Sequence, residues 1–96
     1  MALVRAPASD EALARGQLWR HFQGVPCTIK DTLDTAGVRT TAGAPFFAKH
    51  VPTRDATVVE RLRGAGAAGL GKTNVPFMAA DWQSFNDVFG MTSNLW

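Results

Sequence analysis

Lys30 is the residue with the clearest setting for chemistry. It closes the run Gly24-Val25-Pro26-Cys27-Thr28-Ile29-Lys30-Asp31, in which apolar side chains alternate and acidic and turn-forming residues follow at once. That is the pattern of a short strand delivering a cation to a sheet edge. Alternation puts Val25, Cys27 and Ile29 on one face and Thr28 and Lys30 on the other, so Cys27 and Lys30 do not act together. A lysine can accept a proton only when neutral. Bringing a lysine from about 10.4 to near 7 takes roughly 4 to 5 kcal/mol of desolvation and neighbouring positive field. On spacing alone, a solvated strand-end lysine is the commoner outcome.

A second candidate lies downstream. Gly66-Ala67-Ala68-Gly69-Leu70-Gly71-Lys72-Thr73 matches the phosphate-loop pattern G-x-x-x-x-G-K-[ST] letter for letter. Cradling phosphate requires a strand before the loop and a helix begun by Gly-Lys-Thr, whose amides hold the anion. Here the order is reversed: helical spacing precedes the glycines, the middle of the match is strand-like, and Pro76 obstructs a helix running on from Lys72. The sequence therefore predicts a packed strand ending in a lysine, with a nucleotide-binding module as the alternative reading.

The remaining chemical side chains have simpler roles. Cys27 on an apolar face has no basic partner and reads as a small buried hydrophobe. His21 and His50 have no partner at metal-ligand spacing, so neither metal nor cofactor is expected. Asp31 with Asp34, and Asp81 with Asp87, read as turn and cap residues rather than catalytic pairs. Ser84 and Ser93 sit in no Gly-x-Ser-x-Gly elbow and read as loop hydroxyls. Trp82, Phe85, Phe89 and Trp96 are expected in the core, with an uncovered interface or an aromatic substrate pocket as the other readings.

These residues must be positioned by few elements. Ser9, ahead of Asp10-Glu11-Ala12-Leu13-Ala14-Arg15-Gly16, predicts a short capped helix ended by glycine. Gln17 to Gln23, with Trp19, His21 and Phe22, is a connection. Asp31 to Pro52, rich in Thr, Gly, Ala and Pro, reads as loops with at most short strands, of the kind that rim active sites. Asp55 is expected to cap a second helix in which Val58, Leu62 and Ala65 share a face with Val59 beside them, ended by Gly64 and Gly66. Residues 67–71 suit a buried parallel strand after that helix. Phe77 to Ala80 reads as one helical turn and Asp81 to Trp96 as aromatic loop.

Ninety-six residues with 46% hydrophobic side chains make one small globular domain at most. The net charge of +2, with dispersed basic residues, argues against nucleic-acid or anionic-membrane partners. One cysteine forms no internal disulfide, no apolar run approaches a membrane span, and Met1 to Pro7 is too short for a secretory signal. The expected compartment is the cytoplasm.

Taken in order, GVPCTIKD, Thr35-Ala36-Gly37, Thr40-Thr41-Ala42-Gly43, Asp55-Ala56-Thr57-Val58-Val59, and Gly64-Ala65-Gly66-Ala67 running into Gly71-Lys72-Thr73-Asn74 resemble the amidase signature family. The match runs from about residue 11 to the end, and ordered agreement over several blocks is more specific than any one motif. The resemblance implies an α/β fold, a mixed sheet with helices packed on it, of which residues 1–96 are a partial domain. It also implies a serine amidase whose triad is a nucleophilic serine, a bridging serine in a cis peptide, and a lysine base falling on Lys30. Both serines and the oxyanion hole belong to a Gly/Ser-rich segment expected after Trp96, with further helices ahead of residue 1. The implied substrate is a small-molecule amide, and the 96 residues alone are expected to be inactive. Two departures bear on subfamily: Phe77-Met78 follow Pro76 where the family has Glu, and Asn94-Leu95-Trp96 replaces Asn-Pro-Trp. Free amidase and amidase component of a transfer-RNA amidotransferase both stay open. So does a non-enzymatic remnant whose uncovered faces meet a complementary chain or a second copy.

Overall fold

A computed structural model of the chain describes residues 2–18 and 20–96; Trp19, expected in a connection, lies outside them. The chain has helices α1 (Ala2–Ala14) and α2 (Thr57–Gly64) and strands β1 (Pro26–Lys30), β2 (Ala68–Thr73), β3 (Phe85–Asn86) and β4 (Gly90–Met91). It is an α/β structure. β1 pairs with β2. The flanking bonds, Ala68 N–H to Val25 O at 2.9 Å and Asp31 N–H to Thr73 O at 3.1 Å, advance together along both chains, so the pair is parallel. The chain divides into two compact units, Met1–Ile29 with Thr57–Gly71, and Lys30–Ala56 with Lys72–Trp96.

In the first unit α1 begins at Ala2, seven residues before the expected cap Ser9, and carries Pro7 inside it. Proline there forgoes the bond to the carbonyl of Leu3 and its ring crowds that carbonyl. Residues 3–8 are all exposed, so this turn faces solvent. The helix end is as expected. Gly16, at φ +70°, lets Gln17 N–H reach Ala12 O at 2.9 Å and Gly16 N–H reach Leu13 O at 2.9 Å, the paired bonds of a Schellman cap.

α2 ends the same way: Ala67 N–H reaches Leu62 O and Gly66 N–H reaches Arg63 O, with Gly66 at φ +96°. Its inner face differs from the expected one by a rotation of about one residue. Val59 is buried and Leu62 and Arg63 are half-buried, whereas Val58 is exposed, because Val59, Leu62 and Arg63 follow the three- and four-residue spacing of one helix face. The helix starts at Thr57, two residues beyond Asp55. β2 is buried only at its first residue, Ala68, with Ala67 buried just ahead of it; Leu70 is 62% exposed, which corrects the expectation of a buried strand.

The two capping glycines make a matched test. A Cβ on Gly16 would meet nothing within 4 Å, while one on Gly66 would lie 3.0 Å from Arg20 Cβ and 3.1 Å from Gln23 Cα. Gly16→Ala is expected to cost only the left-handed backbone penalty, about 1 kcal/mol, and Gly66→Ala about 2 to 3 kcal/mol once crowding is added. Urea midpoints of the two variants check this; equal losses would contradict it.

The second unit has a polar interior. Asp31, Thr35, Thr40, Thr41 and Asn86 are buried alongside Ala44 and Val75. Its long loop forms no strand beyond an isolated Thr35–Val38 bridge and a 3₁₀ turn at Pro45–Phe47. Main-chain bonds lace it instead: Gly37 N–H to Pro52 O, Thr40 N–H to His50 O, Ala42 N–H to Asp31 O and Ala56 N–H to Asp34 O, all 2.8 to 3.0 Å. The expected helical turn after Pro76 is a 3₁₀ turn with Met78 and Ala79 at left-handed φ of 50° and 56°. The stretch read as aromatic loop contains a hairpin, β3 against β4, pairing Phe85 with Met91 and Asn86 with Gly90. Trp82, Phe85, Phe89 and Trp96 are exposed, which corrects the core placement and leaves the uncovered-face reading open; the buried positions of this unit are held largely by Asp31, threonines and Asn86.

Candidate functional site

Lys30 stands where β1 ends. Along that strand Ile29 is buried and Cys27 half-buried, while Pro26, Thr28 and Lys30 are exposed, the alternation expected of a pleated strand. Among the described residues the Lys30 ammonium group has no hydrogen-bond or ion-pair partner. Its backbone is held firmly: Lys30 O accepts from Leu33 N–H at 3.0 Å, and Asp31, next along, is anchored on three sides. Asp31 N–H binds Thr73 O, Asp31 O accepts from Ala42 N–H, and its carboxylate Oδ2 accepts from Thr41 N–H at 3.1 Å and Thr41 Oγ1 at 2.5 Å. Asp31 is therefore an internal anchor of the loop, more than the turn residue read from sequence. The strand presents an exposed amine from a fixed base.

Lys72 is the opposite case. Its Nζ donates to Leu33 O, to Thr35 Oγ1 at 3.0 Å and to Thr40 Oγ1 at 3.0 Å. Three acceptors use all three ammonium protons, so this lysine is a cationic clamp on the loop following Lys30. Burial lowers its pKa from 10.5, opposed by the charges of Asp31, Asp34 and Asp55. Lys72→Met, which leaves three acceptors without their donor, is expected to cost about 1 to 3 kcal/mol at neutral pH. The sign of the pH dependence follows from the lowered value. Between it and 10.5 the unfolded chain holds a proton the folded chain has lost, so this group makes stability rise with pH there. That alkaline rise should be missing from the variant when its urea midpoints are compared with the parent's across pH.

The same geometry disposes of the phosphate-loop reading. Gly66, its first glycine, caps a helix, and Lys72 lies in a strand with its ammonium committed to the loop, so no helix N-terminus faces an anion. His50 does have an acidic neighbour, Asp34 at 3.6 Å, contrary to the reading from spacing, but both are well exposed. Among the described residues no three His, Cys, Asp or Glu side chains converge to hold a metal, and no helix is long and apolar enough to cross a membrane.

Two residues carry roles that the sequence reading does not assign. Asn86 donates to Val75 O at 2.7 Å and Asn74 Oδ1 at 2.5 Å and accepts from Val88 N–H and Phe89 N–H. Asn74 donates to Ser84 O, Gly90 O and Thr92 Oγ1 at 3.0 to 3.1 Å. Together they fasten the hairpin behind the end of β2. An asparagine two residues ahead of a proline is the available signal, and asparagine is as common in solvated turns.

The family model for Amidase matches residues 1–96. The chain belongs to the amidase family. Within that family it is 46% identical over 95 residues to a subunit of the glutamyl-tRNA(Gln) amidotransferase of Moorella thermoacetica, covering 99% of this chain and 20% of that protein. It is 42% identical over 96 residues to the corresponding subunit from Carboxydothermus hydrogenoformans, covering 100% and 20%. Among solved structures, an amidase superposes with a TM-score of 0.76 at 37% identity, covering 93% of this chain and 20% of its own. A chain from an inhibitor-bound vestigial protein complex, described as revealing the origins of an s-triazine catabolic enzyme, superposes with a TM-score of 0.81 at 33% identity over the same shares. This amidase-family chain thus spans about one fifth of the length of the relatives it matches.

Proposed function

We propose that residues 1–96 are the lysine-bearing part of a cytoplasmic serine hydrolase that cleaves carbon–nitrogen amide bonds, with Lys30 as its base. The observation that carries this reading is the match of the whole chain to the amidase family, with Lys30, the lysine that the resemblance makes the base, on a firmly anchored strand end; the pocket that desolvates it is assigned to residues outside 1–96. In the proposed mechanism Lys30, in its neutral form, takes a proton passed through a bridging serine from the nucleophilic serine as that serine attacks the amide carbonyl. The proton is then returned to the departing nitrogen, and water hydrolyses the acyl-enzyme. The serines of this sequence, Ser9, Ser84 and Ser93, have no glycine or second serine beside them, so the two catalytic serines are assigned outside these residues. Ammonia release from simple carboxamides tests the reading. The natural-length protein, by itself or with glutamyl-tRNA and partner chains, should turn over and residues 1–96 alone should not; no release by the natural-length protein in either setting would contradict it.

The names of the Moorella and Carboxydothermus relatives favour a more specific version, the amidase component of a transfer-RNA amidotransferase working with partner chains. The departures at Pro76-Phe77-Met78 and Asn94-Leu95-Trp96 keep a free amidase as the second reading. Ammonia release that depends on glutamyl-tRNA and added partner chains supports the former, and release needing neither supports the latter.

A further inference from the structure

Lys30 is the first residue of a tight turn. Leu33 N–H donates to Lys30 O at 3.0 Å and closes it over residues 30–33. One limb is held at Asp31, which is 2% exposed and bonded to Thr73 O, Ala42 N–H and Thr41. The other limb is Leu33, and both of its side-chain holds act on its carbonyl: Lys72 Nζ donates to it, and so does Thr35 Oγ1 at 3.2 Å. All of these residues belong to the second unit.

The ammonium group is the stronger of the two holds, since a charge-assisted hydrogen bond is roughly twice as strong as a neutral one. The other two bonds of Lys72 lead in different directions. Thr35 Oγ1, at 3.0 Å, itself bonds the Leu33 carbonyl, whereas Thr40 Oγ1, at 3.0 Å, donates to Val38 O at 3.1 Å and leads away from the turn. Lys72 therefore acts on the main chain of Lys30 through one residue, Leu33. That matters to a base. A lysine side chain is long and flexible, so the fold aims its amine by fixing the main chain that carries it, and misplacing a reacting group by about 1 Å costs up to about a hundredfold in rate.

We propose that Lys72 is a positioning residue for Lys30: through the Leu33 carbonyl its ammonium group holds the turn that fixes the Lys30 main chain, and so aims the base at the serine relay. The inference rests on the reading of Lys30 as the base. It gives the lysine of the phosphate-loop-like sequence a part in the same site, with no anion to bind.

Ammonia release by the natural-length protein, in the setting that supports its turnover and at a temperature where circular dichroism shows each variant folded, tests this. Lys72→Met should lower kcat about ten- to a hundredfold with KM little changed. Two threonine variants separate positioning from mere stability. Thr35 and Thr40 are 5% and 4% exposed and each accepts one Lys72 proton, but only Thr35 also bonds Leu33 O. Urea midpoints should fall alike in Thr35→Val and Thr40→Val, while kcat falls about fivefold in the first and less than about twofold in the second. A kcat that follows the midpoints across the three variants, or is unchanged in folded Lys72→Met, overturns the positioning role; should Lys72→Met not fold, the threonine pair decides. Hydrogen exchange gives a readout apart from activity: the Leu33 amide should exchange about tenfold faster in Lys72→Met and at the parent's rate in Thr40→Val, and an unaltered Leu33 amide in Lys72→Met overturns the proposal. The two failures are distinguishable. Activity surviving Lys30→Ala overturns the base reading and this proposal with it, whereas activity lost in Lys30→Ala but full in Lys72→Met overturns this proposal alone.

Discussion

Replacing Lys30 by alanine in the natural-length protein should lower amide hydrolysis by about 10³- to 10⁴-fold, within the range that loss of a positioned general base produces. The loss should fall on kcat, with circular dichroism and urea midpoint little altered. The reason for the unaltered fold is local: the Lys30 side chain is exposed and bonds to nothing among the described residues, while the backbone of Lys30 and Asp31 is held by Leu33, Thr73 and Ala42. Lys30→Arg keeps the charge but cannot shed a proton near neutrality, so it should be as inactive as alanine. Activity retained by the arginine variant would assign Lys30 an electrostatic role instead of a proton-transfer one.

Asn86→Ala is expected to carry the largest cost to stability, about 3 to 4 kcal/mol. Four bonds end on this one buried side chain, two donated and two accepted. Truncation leaves Val75 O buried without its donor, releases the amides of Val88 and Phe89 at the hairpin turn, and frees Asn74 from the partner of its own carbonyl oxygen. Replacement by aspartate preserves the two accepted bonds and sets a carboxylate against Val75 O, so it should restore little. The urea midpoint measures both; a loss below about 1 kcal/mol for alanine would mean that water takes over these bonds without penalty.

Much of this is legible in the sequence where local chemistry decides the structure. Strand alternation around Lys30, the helix stops at Gly16 and Gly66, and the reversed order that spoils the phosphate loop follow from backbone rules acting over a few residues. The start of α1 is hidden because Ser9 and Pro7 imitate a boundary: a capping hydroxyl and a helix-breaking residue both point to a start near residue 9. The second unit is the least legible. Its interior includes, beside Ala44 and Val75, the polar residues Asp31, Thr35, Thr40, Thr41 and Asn86, several of them held by partners ten or more residues away, and such residues look like solvated loop in any short window. Lys72 illustrates the point: its clamp joins residues 32 to 39 positions distant in sequence. The four aromatics read as interior because aromatic area normally dominates cores; a small unit filled by hydrogen-bonded threonines leaves them on its surface.

The central claim is that Lys30 activates a serine lying outside residues 1–96. Labelling the natural-length protein with a fluorophosphonate, which reacts with activated serines, and locating the adduct by peptide mass spectrometry tests it most directly. The expected result is one labelled serine outside these 96 residues, with labelling abolished in Lys30→Ala. Label on Cys27, Ser84 or Ser93, or undiminished labelling in the Lys30 variant, would contradict it.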